Sequence, residues 1–240
     1  EVELMVRPPN PAITTTESVT LEPDQNWSFD YKAFGITGTN KASLVVSSIP
    51  DLDLDRQLTY LIRYPHGCIE QTTSSVFPQL SLASLVELTP EQKTAIQSNI
   101  SAGLARLRLF QLSDGGLTYW PGRATEASEW GTNYAGHFMV EAKQKGYELP
   151  AGLYDQWLKF QKNTAANWVR SRDERYGRYN SDITQAYRLF TLALANAADV
   201  GAMNRLRTDE RLSLTGSWRL AAAYALIGRE DVAKELANKT

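Results

Sequence analysis

From Asp51 to Thr240, apolar side chains recur at helical spacing with only short interruptions. That period restricts most of the chain to a mainly α architecture. Leu54, Leu58, Leu61 and Ile62 share one helical face, and Val76, Phe77 and Leu80 share another that Pro78 is expected to kink. Thr89-Pro90-Glu91-Gln92 is a strong helix start, with a capping Thr, Pro at the first position and Gln completing the box. Ile96, Ile100, Leu104 and Leu107 continue that helix, and Asp114-Gly115-Gly116 stops it. Further helices are expected from Gly131 to Lys145, from Pro150 through Phe160, and from a cap at Asp182 to Leu194. Two more are expected, one over Ser217–Ile227 with Trp218, Ala222, Ala225 and Leu226 inward, the other through Val232 and Leu236. Stacked helical hairpins explain this succession better than a four-helix bundle, and such hairpins can curve into an α/α toroid. An incomplete ring is allowed, since the chain stops just after a helix.

Residues 1–50 have a different period. Val2, Leu4 and Val6 alternate with Glu1, Glu3 and Met5, Met5 being the imperfect member, and Arg7-Pro8-Pro9-Asn10-Pro11 ends that run. Thr14–Leu21, Trp27–Phe34 and Ala42–Ile49 read as further strands, with Trp27, Phe29 and Tyr31 on one face. The expectation is a small antiparallel β segment at the N-terminus, packed on one side. The boundary falls at Pro50, with 1–50 a β segment and 51–240 the helical domain.

A formal net charge of -2, with no strongly basic patch, argues against nucleic-acid binding. No apolar stretch is long enough to span a bilayer. The single Cys excludes an intrachain disulfide and a multi-cysteine zinc site. No GxGxxG or GxxxxGK phosphate loop occurs. No cofactor and no metal are expected. The chain opens on Glu1 without a signal-peptide pattern, which suggests a processed product or an excised fragment.

The chemistry concentrates in Tyr64-Pro65-His66-Gly67-Cys68-Ile69-Glu70-Gln71. Cys68 stands where a helix begins, and Gln71 lies three positions on, one turn away. A thiolate can attack the Gln71 carbonyl and expel ammonia, leaving an internal thioester. Helix-start N–H groups and the helix dipole favour a thiolate, and so favour both making and releasing the sulfur. The bland alternative is a lone buried cysteine beside a glutamine. Glu70 can orient a group or simply sit as a helix-start acid. His66 is the nearest base or a loop residue, and His137 reads as a packing histidine.

A cysteine-dependent hydrolase would need Cys68 with His137 or His66 and Asn133 or Asp114. A glycosidase would need carboxylate pairs such as Asp114 with Glu126, or Asp173 with Asp182. A zinc site would need Cys68, His137 and an Asp to converge. The run Arg170-Ser171-Arg172-Asp173-Glu174-Arg175 reads as a solvated loop.

Gly67-Cys68-Ile69-Glu70-Gln71 resembles the thioester motif of alpha-2-macroglobulins and complement thioester proteins. Asp51–Arg56 and Tyr60–Ser74 resemble bacterial alpha-2-macroglobulins in particular, and Asp114-Gly115-Gly116 and Trp130-Gly131-Thr132-Asn133 also fit. The resemblance implies an α/α toroid adjoining a CUB-like β domain, with residues 1–50 as part of the latter. It implies that Cys68 supplies the sulfur, Gln71 the acyl carbonyl, Gly67 and Glu70 the supporting motif. His66, Tyr64, Tyr119 and Trp120 are candidates for modulating or shielding the bond. The implied activity is that of a single-use covalent protease trap, not a turnover enzyme. Attacking proteases and small amines would be its targets after bait cleavage, and neighbouring macroglobulin and CUB domains its partners. The implied location is the bacterial periplasm, with a parent anchored to the membrane by lipid. Residues 163–181 lack the histidine that hydroxyl-preferring complement members carry, so amine targets are expected. The alternative function is a noncatalytic helical scaffold with free Cys68.

Overall fold

The computed structural model describes residues 11, 13–48, 60–122, 125–170 and 181–238. The chain divides into two units, Glu1–Pro50 and Asp51–Thr240.

The first unit corrects the expected β segment: among its described residues there is no β-strand. Thr14–Leu21 and Trp27–Phe34 form no ladder, and the described part of Ala42–Ile49 forms none either. The expected Val2–Val6 strand lies outside the described residues. What order there is comes from turns. Gln25 N–H donates to the Glu22 carbonyl at 3.0 Å, and Thr39 N–H to that of Ile36 at 3.2 Å. Trp27 and Phe29 stack with ring centroids 5.8 Å apart, yet both are exposed, as is Tyr31. Alternation records which face of a strand would be buried; it does not supply the partner strand that closes the hydrogen bonds.

The second unit is helical. Its elements are α1 (Ile69–Val76), α2 (Leu82–Leu85), α3 (Pro90–Leu107), α4 (Glu129–Gln144), α5 (Leu153–Ala166), α6 (Asp182–Leu194), α7 (Val200–Arg207), α8 (Leu214–Leu226) and α9 (Glu230–Ala237). Single 3-10 turns follow α1 at Pro78–Leu80 and α3 at Arg108–Phe110. The packing has two layers. α1, α4, α6 and α8 pack side by side in that order, while α3, α5, α7 and α9 back them in hairpin-like pairs. This is the stacked-hairpin arrangement that the helical period predicts.

Local chemistry explains most boundaries. The Thr89 N–H donates to Gln92 Oε1 at 2.9 Å and the Gln92 N–H to Thr89 Oγ1 at 3.3 Å, a complete capping box. Pro78 follows α1 as the first residue of a 3-10 turn, where a missing N–H costs little. Two starts differ from expectation. Ser181, not Asp182, caps α6, because its shorter hydroxyl reaches the Thr184 N–H. Asp182 instead accepts from the Ser213 N–H and hydroxyl at 2.7 and 2.6 Å. α5 begins at Leu153 rather than Pro150.

The inward face of α8 also differs. Trp218 and Leu226 are exposed, while Gly216, Ser217, Leu220, Ala221, Ala223 and Tyr224 are buried. Gly216, Ser217, Ala221 and Ala223 let α6 and α9 approach closely, Leu220 and Tyr224 fill the interior beside them, and Trp218 lies off that stripe.

One apolar cluster runs from Ile69 through α3 and α4 to Trp157, and a second from Ala165 to Leu236. At Gly136 any β-carbon would lie 2.2 Å from the Trp157 indole, so glycine lets α5 seat its Trp against α4. Beside this contact runs a buried polar chain. Arg188 Nε donates to Gln161 Oε1 at 3.2 Å, Gln161 Nε2 to Asn133 Oδ1 at 2.6 Å, and Asn133 Nδ2 to the Thr184 carbonyl at 3.1 Å.

Candidate functional site

Cys68 is the N-cap of α1, with extended backbone angles of φ -72 and ψ 176. Gly67 before it has φ +79, a region glycine enters without steric cost. This turn points the Cys68 side chain inward, leaving it 3% exposed. Gln71, one turn on, folds back so that its Oε1 accepts the Cys68 backbone N–H at 3.0 Å. In outline this is a capping box with sulfur in place of the usual hydroxyl. The helix start therefore places the thiol beside the Gln71 N–H and the carboxamide carbonyl on the Cys68 N–H. A β-carbon on Gly67 would come 2.0 Å from that Oε1.

The turn is held from α3. Arg106 Nη2 donates to the Gly67 carbonyl at 2.8 Å and its Nε to Thr72 Oγ1 at 3.1 Å. Thr72 Oγ1 donates to the His66 carbonyl at 3.3 Å. Residues 66 and 67 are thus tied to a buried threonine of α1 and to a guanidinium that lies over the Phe110 ring.

The opposite side is held by the loop after α3. Gln111 and Leu117 form an antiparallel bridge that turns the chain back toward α1. The Tyr119 carbonyl accepts the Ile69 N–H at 3.1 Å, satisfying a donor left free at the helix start. The Tyr119 hydroxyl donates to Glu70 Oε2 at 3.0 Å. Hydrogen bonding with Cys68 first, and with Glu70 next, pushes the Tyr119 phenol up to about 12. Trp120 meets Tyr119 edge-on at 6.0 Å between centroids.

Of the residues singled out in the sequence, Gly67, Cys68, Glu70, Gln71 and Tyr119 are together. Tyr64 and Trp120 are exposed, and His66 engages the site through its backbone carbonyl. His137 belongs to another surface. Its Nδ1 pairs with the Tyr187 hydroxyl at 3.1 Å, and Phe77 and Phe190 meet it edge-on. Burial, and then the nearby Arg219 charge, pull the His137 pKa down to about 4. Asn133 is committed to Gln161 and Thr184, so the Cys–His–Asn set of a hydrolase is not assembled on Cys68. Asp114 caps its own turn through the Gly116 N–H at 2.9 Å. Asp173 lies outside the described residues. Among the described residues, no group of three His, Cys, Asp or Glu side chains could hold a metal. Arg170, assigned to a solvated run, pairs with Asp209 at 2.7 Å; the rest of that run lies outside the described residues.

Arg106 and Thr72 were not singled out in the sequence. The signal available was a basic residue in the last turn of an otherwise well-marked helix, which carries no information about a partner 39 positions earlier.

The chain is similar to several known proteins. The family profile described as A-macroglobulin TED domain matches residues 40–196. The chain is 27% identical over 213 residues to alpha-2-macroglobulin of Escherichia coli strain K12, covering 84% of this chain and 13% of that protein. It is 24% identical over 252 residues to alpha-2-macroglobulin of Rickettsia conorii, covering 98% and 12%. It therefore spans about an eighth of the length of these relatives. Among solved structures, native E. coli alpha-2-macroglobulin superposes with a TM-score of 0.63 at 22% identity, over 78% of this chain and 12% of that one. Salmonella alpha-2-macroglobulin reacted with methylamine gives 0.63 at 24%, over 78% and 13%. At these identities the superpositions show a shared fold.

Proposed function

The chain belongs to the alpha-2-macroglobulin thioester-domain family, and we propose that Cys68 and Gln71 form an internal thioester that acylates one amine nucleophile. Closing the bond joins the Cys68 sulfur to the Gln71 side-chain carbonyl carbon and releases ammonia. Opening it joins that carbon to an amine nitrogen and returns sulfur as thiolate, then thiol. The acyl group is used up, so the domain acts once and does not turn over.

The observation that carries this reading is the Cys68 N–H donating to Gln71 Oε1 at 3.0 Å beside a buried sulfur. In the thioester the same N–H would polarise the acyl carbonyl and stabilise the oxyanion formed on attack. The thiolate would leave at a helix N-terminus, where free N–H groups and the dipole favour negative charge.

In the parent protein, bait cleavage would expose this bond to lysine amines of the attacking protease and hold the protease covalently. The Salmonella structure reacted with methylamine supports amine acceptance, and the E. coli structures activated by trypsin and by porcine elastase support protease triggering. Their bacterial source supports a parent acting outside the cytoplasm; the periplasm and a lipid anchor complete the proposal. Tyr64, Tyr119 and Trp120 would help to shield the bond, a role supported for Tyr119 by its hydrogen bond to Glu70, and neighbouring macroglobulin domains would complete the shielding.

Intact mass tests the proposal. Fresh protein should be lighter than its encoded sequence by one ammonia. Methylamine should restore the deficit as a methylamide and release one thiol. Full encoded mass with a reactive Cys68 at the outset, in this chain and in the full-length parent alike, would instead favour the noncatalytic scaffold.

A further inference from the structure

On the surface that carries His137, α4, α6 and α8 enclose a concavity lined by His137, Tyr187, Phe190, Arg219 and Ala222. Its volume of about 340 Å³ lies at the small end of ligand clefts, which run from about 300 to 1,000 Å³. Three of the walls are rings. Tyr187 and Phe190 lie 6.5 Å apart between centroids, and His137 meets them edge-on at 5.8 and 5.4 Å. The polar atoms of these rings are already engaged. His137 Nδ1 pairs with the Tyr187 hydroxyl at 3.1 Å, and its other ring nitrogen faces Glu141 at 3.7 Å. Burial and the Arg219 charge keep the imidazole neutral at pH 7.

Arg219 is therefore the lining residue that carries charge. Its guanidinium lies over the Tyr187 ring, 4.3 Å from the centroid. A guanidinium seated on a ring keeps its N–H donors for other partners, and their fork matches a carboxylate. Among the described residues no carboxylate lies within ion-pair distance of Arg219, Glu141 included, and no acceptor takes its N–H groups. Aromatic walls with one uncommitted cation call for a ligand with a flat apolar body and a negative end. An amine would meet Arg219 with like charge, and an inorganic anion would leave the rings uncovered.

We propose that this concavity binds a small aryl carboxylate, with Arg219 holding the carboxylate and His137, Tyr187 and Phe190 enclosing the ring. The inference is independent of the thioester reading of Cys68 and Gln71. The site sits on three helices of the scaffold, so its walls are placed by helix packing and not by a loop.

Titration of the 240-residue chain with 3-phenylpropionate, followed by NMR, tests the inference. The chain has two histidines, and the His137 ring signals are identified by their loss in H137Q. They should shift saturably with the probe while those of His66 stay in place. 3-Phenylpropanamide, which keeps the shape without the charge, should bind about tenfold or more weakly, the scale of a lost charge-assisted hydrogen bond. R219Q should bind acid and amide alike. A222L, which fills the concavity and keeps Arg219, should weaken both. No saturable shift in wild type, or equal binding of acid and amide, would overturn the site. A preference for the acid that survives R219Q would overturn the role of Arg219. The acid-to-amide comparison and A222L leave Arg219 untouched, so they decide the matter even if R219Q does not fold.

Discussion

At Gly67, backbone conformation and side-chain chemistry meet in one atom that is absent. The residue sits at φ +79, and an added β-carbon would lie 2.0 Å from Gln71 Oε1 and 2.9 Å from its carbonyl carbon. Alanine would therefore strain the turn and push the carboxamide away from the Cys68 N–H. G67A should lose about 1–3 kcal/mol of stability and should remain at its encoded mass, with no ammonia lost. Thermal denaturation and intact mass check both parts; a variant that matures like wild type would show that the Gln71 position does not depend on this glycine. Much of the site was legible at this scale. Cys68 and Gln71 have turn spacing, and a helix-start sulfur has a physical reason to be reactive. Tyr119 was legible only as an aromatic near the site, since nothing in Leu117-Thr118-Tyr119-Trp120 specifies that its hydroxyl reaches Glu70 at 3.0 Å.

Helix α3 is the element on which the site hangs. Its start was readable from Thr89-Pro90-Glu91-Gln92, because a capping box is local chemistry written in four residues. Its functional end was not readable. Arg106 reaches Gly67 and Thr72 across 39 and 34 positions, and periodicity reports a helix face without naming what lies opposite. The same limit explains the N-terminal segment, where alternation predicted strands and the described residues form none. It explains α8 as well, where tight packing placed Gly216 and Ala221 inside and Trp218 outside. R106Q would remove two hydrogen bonds from a charged donor and free the residue 66–67 turn from α3. The expected loss is about 1.5–3 kcal/mol, and the loosened turn should also slow thioester closure. Denaturant unfolding gives the first quantity and a time course of ammonia loss after synthesis the second. An R106Q chain that unfolds and matures like wild type would remove α3 from the account of the site.

Among the described residues of the helical unit, the surroundings of His137 hold a titratable group far from its ordinary pKa. Around His137, α4, α6 and α8 converge on Tyr187, Phe190 and Arg219, which line a concavity of about 340 Å³. Arg219 lies over the Tyr187 ring at 4.3 Å, and Glu141 stands 3.7 Å from His137 Nε2. Burial first, and the Arg219 charge second, hold His137 at about 4 instead of 6.5, against the weaker pull of Glu141 toward the charged form. Between those two values the unfolded chain binds a proton that the folded chain refuses. This contribution to stability is therefore whole above about pH 6.5, falls as the pH drops through the window, and levels off below about pH 4. The drop amounts to at most about 3 kcal/mol, reduced because the ring retains some solvent contact. Glu129 acts in the opposite sense. Burial raises its pKa despite Arg188, so its contribution is present at low pH and is lost as the pH rises through the folded value. The two are separated by H137Q, which keeps a polar partner for Tyr187 but cannot titrate. Unfolding free energies measured from pH 7 to pH 4 should fall more steeply for wild type than for H137Q. Parallel curves would mean that His137 accepts its proton without cost, and that the concavity is open to water in solution.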